Sequence, residues 1–451
     1  MNRVLVANRG EIAVRVIRAC KSLGLETVAV VSEADRGSLH ARLADRALCI
    51  GPARAAESYL DVNAVVTAAK GSGCDAVHPG YGFLAENPIL AETCLGHGLT
   101  FVGPSAEVIR LMGDKVAARR FVTKLGVPVV SGSEEPMQSA GEVMAVAAGT
   151  EYPLLLKAAA GGGGRGMRVV RSAAEIPAAF EQARAEAQAA FGDGRLYVER
   201  YLARVRHVEV QVLADDHGAC LHLGERDCSL QRRHQKLLEE APCEALSETL
   251  RREILEAATA IAREAGYRNA GTVEFLVDPD RGRYYFLEMN TRIQVEHPVT
   301  EMVTGLDLVA AQLRIAAGEP LAVRQSDVRV RGHAIECRIN AEAPEADFRP
   351  SPGTLSAWRM PEGEGIRVDT HCYLGYAVPP FYDSLLAKLI VSAPGRAAAL
   401  GRLRRALDTF VAQGVSTTLP FHRRIVDDPA FVAGDVHTRW IEDTFGRATL
   451  R

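Results

Sequence analysis

Two apolar stretches, residues 272–277 (Thr-Val-Glu-Phe-Leu-Val) and 284–290 (Tyr-Tyr-Phe-Leu-Glu-Met-Asn), flank the turn-forming run Asp278-Pro279-Asp280-Arg281-Gly282-Arg283. That pattern predicts a β-hairpin. With the turn centred on Arg281, Glu274 falls opposite Glu288 on one face, their Cβ atoms ~5 Å apart. A register slip of two residues keeps this face, whereas a slip of one does not. Like charges facing each other across a ladder destabilise it, so a cation between them is the economical explanation. Asn290 shares the face and adds a neutral oxygen. Two carboxylates and an amide (Glu274, Glu288, Asn290) suit Mg²⁺, or Mn²⁺ in its place, with room left for nucleotide phosphate oxygens. The plainer alternative is a charged strand facing solvent.

The polar parity continues: Glu288, Asn290, Arg292, Gln294 and Glu296 recur at period two, with Met289, Thr291, Ile293 and Val295 between them. A straight strand over residues 288–296 would span ~26 Å at about 3.3 Å per residue, too long for one ion site. Two subsites are therefore expected, with metal and phosphate at the start of the segment and a small anion at its end. Arg292 and Gln294 can hold a carbonate-like anion through directed donors, and Glu296 is placed to remove a proton.

Between predicted strands at 154–158 and 167–170 lies Lys157-Ala158-Ala159-Ala160-Gly161-Gly162-Gly163-Gly164-Arg165-Gly166. A G-x-G-x-x-G pattern matches here, but the strand-to-strand setting lacks the helix of a dinucleotide turn, and no Gly-Lys-Ser/Thr follows. What remains is a loop whose bare amides can approach phosphate closely, with a lysine at its start. That lysine is informative because only seven of the 53 basic residues are lysines. Lys115, Lys157 and Lys236 are thus expected where a compact ammonium is needed in place of a planar guanidinium. Lys236 closes the polar run Glu225-Arg226-Asp227-Cys228-Ser229-Leu230-Gln231-Arg232-Arg233-His234-Gln235-Lys236, which reads either as a solvated face or as an anion site.

The amino-terminal third opens with a βαβ pattern: strand at 4–7, amphipathic helix at 11–23 and strand at 27–31. A further strand at 76–78 ends in the glycine-rich turn Pro79-Gly80-Tyr81-Gly82-Phe83, more often a connection than a ligand loop. A mobile subdomain is expected from about 130 to 203, then alternating strands, a helix at 248–265, and a last unit from 331. At net charge −3 the chain carries no footprint for nucleic acid. No apolar run approaches the ~20 residues of a membrane span, and no cysteine pair has zinc spacing. A cytoplasmic protein with reduced thiols is expected.

Five segments together resemble biotin carboxylase nearly end to end: Ala7-Asn8-Arg9-Gly10-Glu11-Ile12-Ala13, His78-Pro79-Gly80-Tyr81-Gly82-Phe83-Leu84, the Gly161 loop, the run from Arg226 to Lys236, and Met289-Asn290-Thr291-Arg292-Ile293-Gln294-Val295-Glu296-His297-Pro298. The resemblance implies an α/β ATP-grasp fold: a parallel α/β domain at 1–115, an ATP-grasp domain at 116–330 with its lid at about 130–203, and a mixed carboxy-terminal domain at 331–451. It implies that bicarbonate attacks the γ-phosphate of ATP and that the resulting carboxyphosphate delivers CO₂ to the ureido N1 of biotin. By that resemblance Lys115, Lys157, Gly163, Gly164, His207, Gln231, His234 and Leu276 lie along the nucleotide, with Glu199, Arg200, Tyr201 and Leu202 on its adenine side. Lys236, Arg292, Gln294 and Val295 would bind bicarbonate, with Glu296 as base, and Arg338 would stabilise the biotin enolate. Arg200 stands where many relatives have lysine. The family commonly dimerises near Arg15 and the stretch before Arg367, which here carries Glu362 and Glu364. No Met-Lys dipeptide occurs and no lysine follows Lys388, so a biotin carboxyl carrier protein is expected in trans, together with carboxyltransferase subunits serving acetyl-CoA or a related acyl-CoA. Two other readings share some of these features. An ATP-grasp ligase making an acyl or carbamoyl phosphate would not need Arg338, and a nucleotide-binding protein without catalysis would not need Glu296.

Overall fold

The computed structural model describes residues 1–133, 135–159 and 167–446. The amino-terminal sheet comprises β1 (Arg3–Val6), β2 (Glu26–Ser32), β3 (Arg46–Gly51), β4 (Ala76–His78) and β5 (Thr100–Phe101). All its pairings are parallel, in the order β3-β2-β1-β4-β5. Val4, Leu5 and Val6 are fully buried, as a sheet covered on both faces requires. Strand order reverses beside β1, so the loops leaving β1 and β4 diverge and open a crevice at the sheet's carboxyl edge. Asn8 spans that crevice, donating from Nδ2 to the carbonyls of Pro79 and Tyr81 at 2.7 Å each. The close approach needs Gly80: its φ is +63°, and a Cβ there would meet Asn8 at 3.0 Å and Ile12 at 3.1 Å.

A second unit contains β6 (Leu154–Ala158), β7 (Arg168–Val170) and β8 (Leu196–Arg200), antiparallel in the order β7-β6-β8. Helices Ala140–Ala147 and Ile176–Phe191 cover it around Leu154, Leu156, Phe180 and Val198. Gly163 and Gly164 lie outside the described residues.

The largest sheet is built from β9 (Arg206–Ala214), β10 (Cys220–Arg232), β11 (Gln235–Ala241), β12 (Asn269–Asp278), β13 (Arg283–Asn290) and β14 (His333–Asn340), continued by strands Leu385–Ala393 and Ile366–Thr370. The order is β13-β12-β9-β10-β11-β14, then those two strands, every pair antiparallel. Helix Glu248–Glu264 packs an apolar stripe (Leu250, Ile254, Ala258, Ile261) against one face. The β11–β14 pairing carries the sheet without a break past residue 330.

The hairpin β12–β13 has the expected pair, but by a different route. Its outer part, from Asp278↔Arg283 to Phe275↔Phe286, runs in a register that would set Glu274 against Leu287. A β-bulge at Leu287 restores Glu274↔Glu288. The straight strand expected over 288–296 does not form. β13 ends at Asn290, residues 291–296 bend, and helix His297–Thr304 begins. Pro298 in the first helical turn fixes that break. The two subsites expected ~26 Å apart therefore fold back onto one another.

Candidate active site

Register places a lateral row of charges across four neighbouring strands: Arg226 on β10 opposite Glu209 on β9, Glu209 opposite Glu274 on β12, and Glu274 opposite Glu288 on β13. Lys236, from β11, reaches over this row. Its Nζ lies 2.5 Å from Glu209, 3.0 Å from Glu274 and 2.6 Å from Glu296. Burial alone would push this ammonium down, but the three carboxylates hold it well above its ordinary value. In return, Lys236 followed by Arg338 and Arg226 outweighs the burial of Glu296 and holds its carboxyl far below the usual range.

Arg338 shares the second oxygen of Glu296 at 2.9 Å and bonds Glu239 at 2.6 Å through Nε. Gln294 donates to Glu274 at 2.8 Å, and Asn290 does so at 2.9 Å. The Asn290 oxygen accepts from Arg292 at 3.0 Å, so turning that amide over would present oxygen to the carboxylate pair. His207 Nε2 stands 2.9 Å from Glu274; burial pushes the ring's pKa down, yet Glu274 carries it above its ordinary value. Glu274 itself is held well below the usual range because Lys236 and His207 outweigh its burial. Glu288, where burial outweighs Lys115 at 3.9 Å, is raised. The stretch from Lys115 to Arg338 is thus one electrostatic unit with acids of opposite tendency.

At the far end, Lys157 Nζ bonds Glu199 at 2.5 Å, and Arg119 grips the other oxygen of Glu199. The β10–β11 connection is a two-residue turn with both φ values positive, +49° at Arg233 and +65° at His234. Glycine or asparagine would fill such a turn with less strain, and His234 faces the cavity.

One cavity of about 1010 Å³ joins these features. Every site residue named from the sequence lines it apart from Gly163 and Gly164, including Arg200, Tyr201, Leu202, Gln231, Leu276 and Val295. The turn Tyr81-Gly82-Phe83 also lines it, so this segment is a cavity wall and more than a connection. The polar run 225–236 is not a solvated face: Arg226 is fully buried.

The family models match in sequence. The "Biotin carboxylase, N-terminal domain" matches residues 1–109, the "Carbamoyl-phosphate synthase L chain, ATP binding domain" residues 114–324, and the "Biotin carboxylase C-terminal domain" residues 336–443. A biotin carboxylase of Pseudomonas aeruginosa is 53% identical over 99% of both chains. The chain belongs to the biotin carboxylase family. It is a ligase of the ATP-grasp fold and the biotin carboxylase subunit of a biotin-dependent carboxylase. The Nostoc biotin carboxylase is 52% identical over 98% of this chain and 99% of its own. Among solved structures, the Campylobacter jejuni biotin carboxylase complex superposes with a TM-score of 0.96 at 44% identity, covering 98% of each chain. The biotin carboxylase domain of the Hydrogenobacter thermophilus 2-oxoglutarate carboxylase, solved with MgADP, ADP and bicarbonate, gives 0.95 at 49%, covering 98% of this chain and 97% of that one.

Four contributors were not legible as site residues. Glu209 sits under Lys236, and its ligand atom lies within 4.8 Å of those of His207 and Glu274. Arg226 donates to Gln294 at 3.1 Å, Glu86 receives Arg292 at 3.0 Å, and Arg119 braces Glu199. Period-two charge at Arg206-His207-Val208-Glu209-Val210-Gln211 was the available signal for Glu209. Glu86 and Arg119 carry no local signal.

Proposed function

We propose that this cavity carboxylates biotin on a separate carrier protein, using ATP, Mg²⁺ or Mn²⁺, and bicarbonate. The observation that carries the reading is the convergence of Lys236 and Arg338 on the two oxygens of Glu296, 2.6 and 2.9 Å away. A carboxylate pinned between two cations is a weak base. Bicarbonate entering beside Lys236, Arg292 and Gln294 competes for those cations, and Glu296 gains basicity where its substrate's proton arrives.

Glu296 takes the O–H proton, the bicarbonate oxygen bonds to the γ-phosphorus, and ADP leaves with the bridging electron pair. Carboxyphosphate then separates into CO₂ and phosphate, and the ureido nitrogen bonds to CO₂. Its proton passes to the phosphate formed beside it. Arg338 faces the ureido oxygen and stabilises the enolate. Lys115 and Lys157 hold phosphate oxygens as compact cations. Glu274 and Glu288, opposite one another with Asn290 at the strand end, fit a hard divalent ion, which when bound neutralises phosphate charge. A carbamoyl-phosphate type of ligase shares the acidic pair but has no use for Arg338 against the base.

The carrier is proposed in trans because none of the seven lysines follows a methionine. We place the enzyme in the cytoplasm, in keeping with its nine free cysteines; no helix among the described residues is long and apolar enough to cross a membrane. A homodimer is proposed on the face where Arg15 and Arg367 both bond Glu301, at 2.8 and 2.7 Å. The acceptor is proposed as acetyl-CoA or a related acyl-CoA, on the strength of relatives named for the biotin half-reaction; a relative named as part of a pyruvate carboxylase, from Methanothermobacter thermautotrophicus, is 50% identical.

ADP release by the purified chain should require bicarbonate and rise with free biotin. Labelled bicarbonate supplied with the copurifying transferase should then enter an acyl-CoA. Stimulation by ammonia in place of biotin would overturn the first part, and label entering pyruvate alone would overturn the second.

A further inference from the structure

Lys388 is the one lysine of the carboxy-terminal segment, and its side chain is fully buried. It stands on strand Leu385–Ala393, opposite Arg338 on one side and Asp369 on the other. Its Nζ donates to the carbonyl of Val295 at 2.9 Å, lies 3.1 Å from Glu11 and 3.9 Å from Asp369. Val295 immediately precedes the proposed base. Glu11 follows β1 and accepts from the hydroxyl of Tyr81, in the turn after β4. Three segments distant in sequence thus meet on one ammonium, and two of them are opposing cavity walls: the turn carrying Glu296 and the crevice carrying Tyr81.

We infer that Lys388 is a positioning residue for biotin carboxylation, fixing the gap between the base-bearing turn at Val295-Glu296 and the Glu11–Tyr81 wall against which the second substrate must be held. It touches no reacting atom. A lysine is kept here, in a chain that otherwise uses arginine, because the acceptors converge on one point. The longer planar fork of arginine cannot satisfy a carbonyl and a carboxylate from that position. The nucleotide end, held by Lys115, Lys157 and Glu199, has no direct contact with Lys388, so ATP binding does not depend on it. The inference rests on the assignment of Glu296 as base.

Steady-state kinetics of the full chain, with free biotin as acceptor, test it. Lys388→Met should lower kcat for biotin carboxylation about 100-fold, as expected for a misplaced reacting group, with KM for ATP unchanged. Lys388→Arg should fail to restore the rate although it restores the charge. Glu11→Gln leaves the lysine and its bond to Val295 in place and should lower kcat by about tenfold; the double variant should be no worse than Lys388→Met alone, because the two residues act through one contact. Glu11→Gln also keeps the test available should Lys388→Met not fold. A kcat near wild type in Glu11→Gln or Lys388→Met, full rescue by arginine, or additive losses would overturn the inference. If Glu296→Ala is also fully active, it is the assignment of the base that has failed.

Discussion

Glu296→Ala should lower bicarbonate-dependent ATP cleavage by about 10²–10⁴-fold, the usual contribution of a positioned general base. KM for ATP should stay near that of the wild type, because Glu296 contacts Lys236 and Arg338 and not the lysines of the nucleotide end. Glu296→Gln should lose as much, since it keeps the shape and removes the proton acceptor. A structural ion pair would behave differently, affecting stability first and rate second. The pH dependence separates the two. The folded-state pKa of Glu296 is held below its ordinary value of 4.5, so its contribution to stability is complete above that value and fades as pH falls below it. The alanine variant should therefore differ from wild type in stability at neutral pH and converge with it in acid, while its rate defect persists across the neutral range. Activity profiles and thermal melts of the three proteins measure both.

Arg226→Met should destabilise the fold by about 3–5 kcal/mol, the cost of stripping one partner from a buried ion pair. The guanidinium of Arg226 is fully buried and has five hydrogen bonds: Glu209 at 2.6 Å, Gln211 at 2.8 Å, Thr300 at 2.9 Å, Gln294 at 3.1 Å and Thr272 at 3.2 Å. Removing it leaves Glu209 against the carboxylates of Glu274 and Glu296 with Lys236 alone to compensate. Lysine cannot substitute, because three donors on a single nitrogen cannot reach five acceptors arranged around a plane. Urea denaturation gives the loss directly. Adding Glu209→Gln should recover part of it, since the acid left unpaired is then neutral. A loss below about 1 kcal/mol, as for an exposed pair, would mean that the row of charges across the sheet is not a buried network.

The parallel amino-terminal sheet, the hairpin and the pairing of Glu274 with Glu288 were legible because periodicity and turn chemistry act over a few residues. The pairing nonetheless depends on a bulge at Leu287 that alternation cannot reveal, since an extra residue in one strand shifts parity without changing composition. Residues 291–296 misled for a related reason. Their period-two polarity looks like a strand, but it arises because alternate side chains of a bend point into one cavity. Lysine scarcity identified Lys115, Lys157 and Lys236 but left Lys388 as a mere marker of where lysines end. Its role depends on Glu11 and Val295, residues 377 and 93 positions away, and only the tertiary fold brings them together. Glu86 and Arg119 were missed likewise, each acting through a partner in another unit.

The central claim is that bicarbonate, and not water, attacks the γ-phosphate in the space between Lys236, Arg292 and Glu296. Cleavage of ATP with ¹⁸O-labelled bicarbonate in the presence of biotin tests this most directly. The account predicts one labelled oxygen in each phosphate released, carried over from the bond formed in carboxyphosphate. Phosphate without label, formed at the same rate, would contradict it.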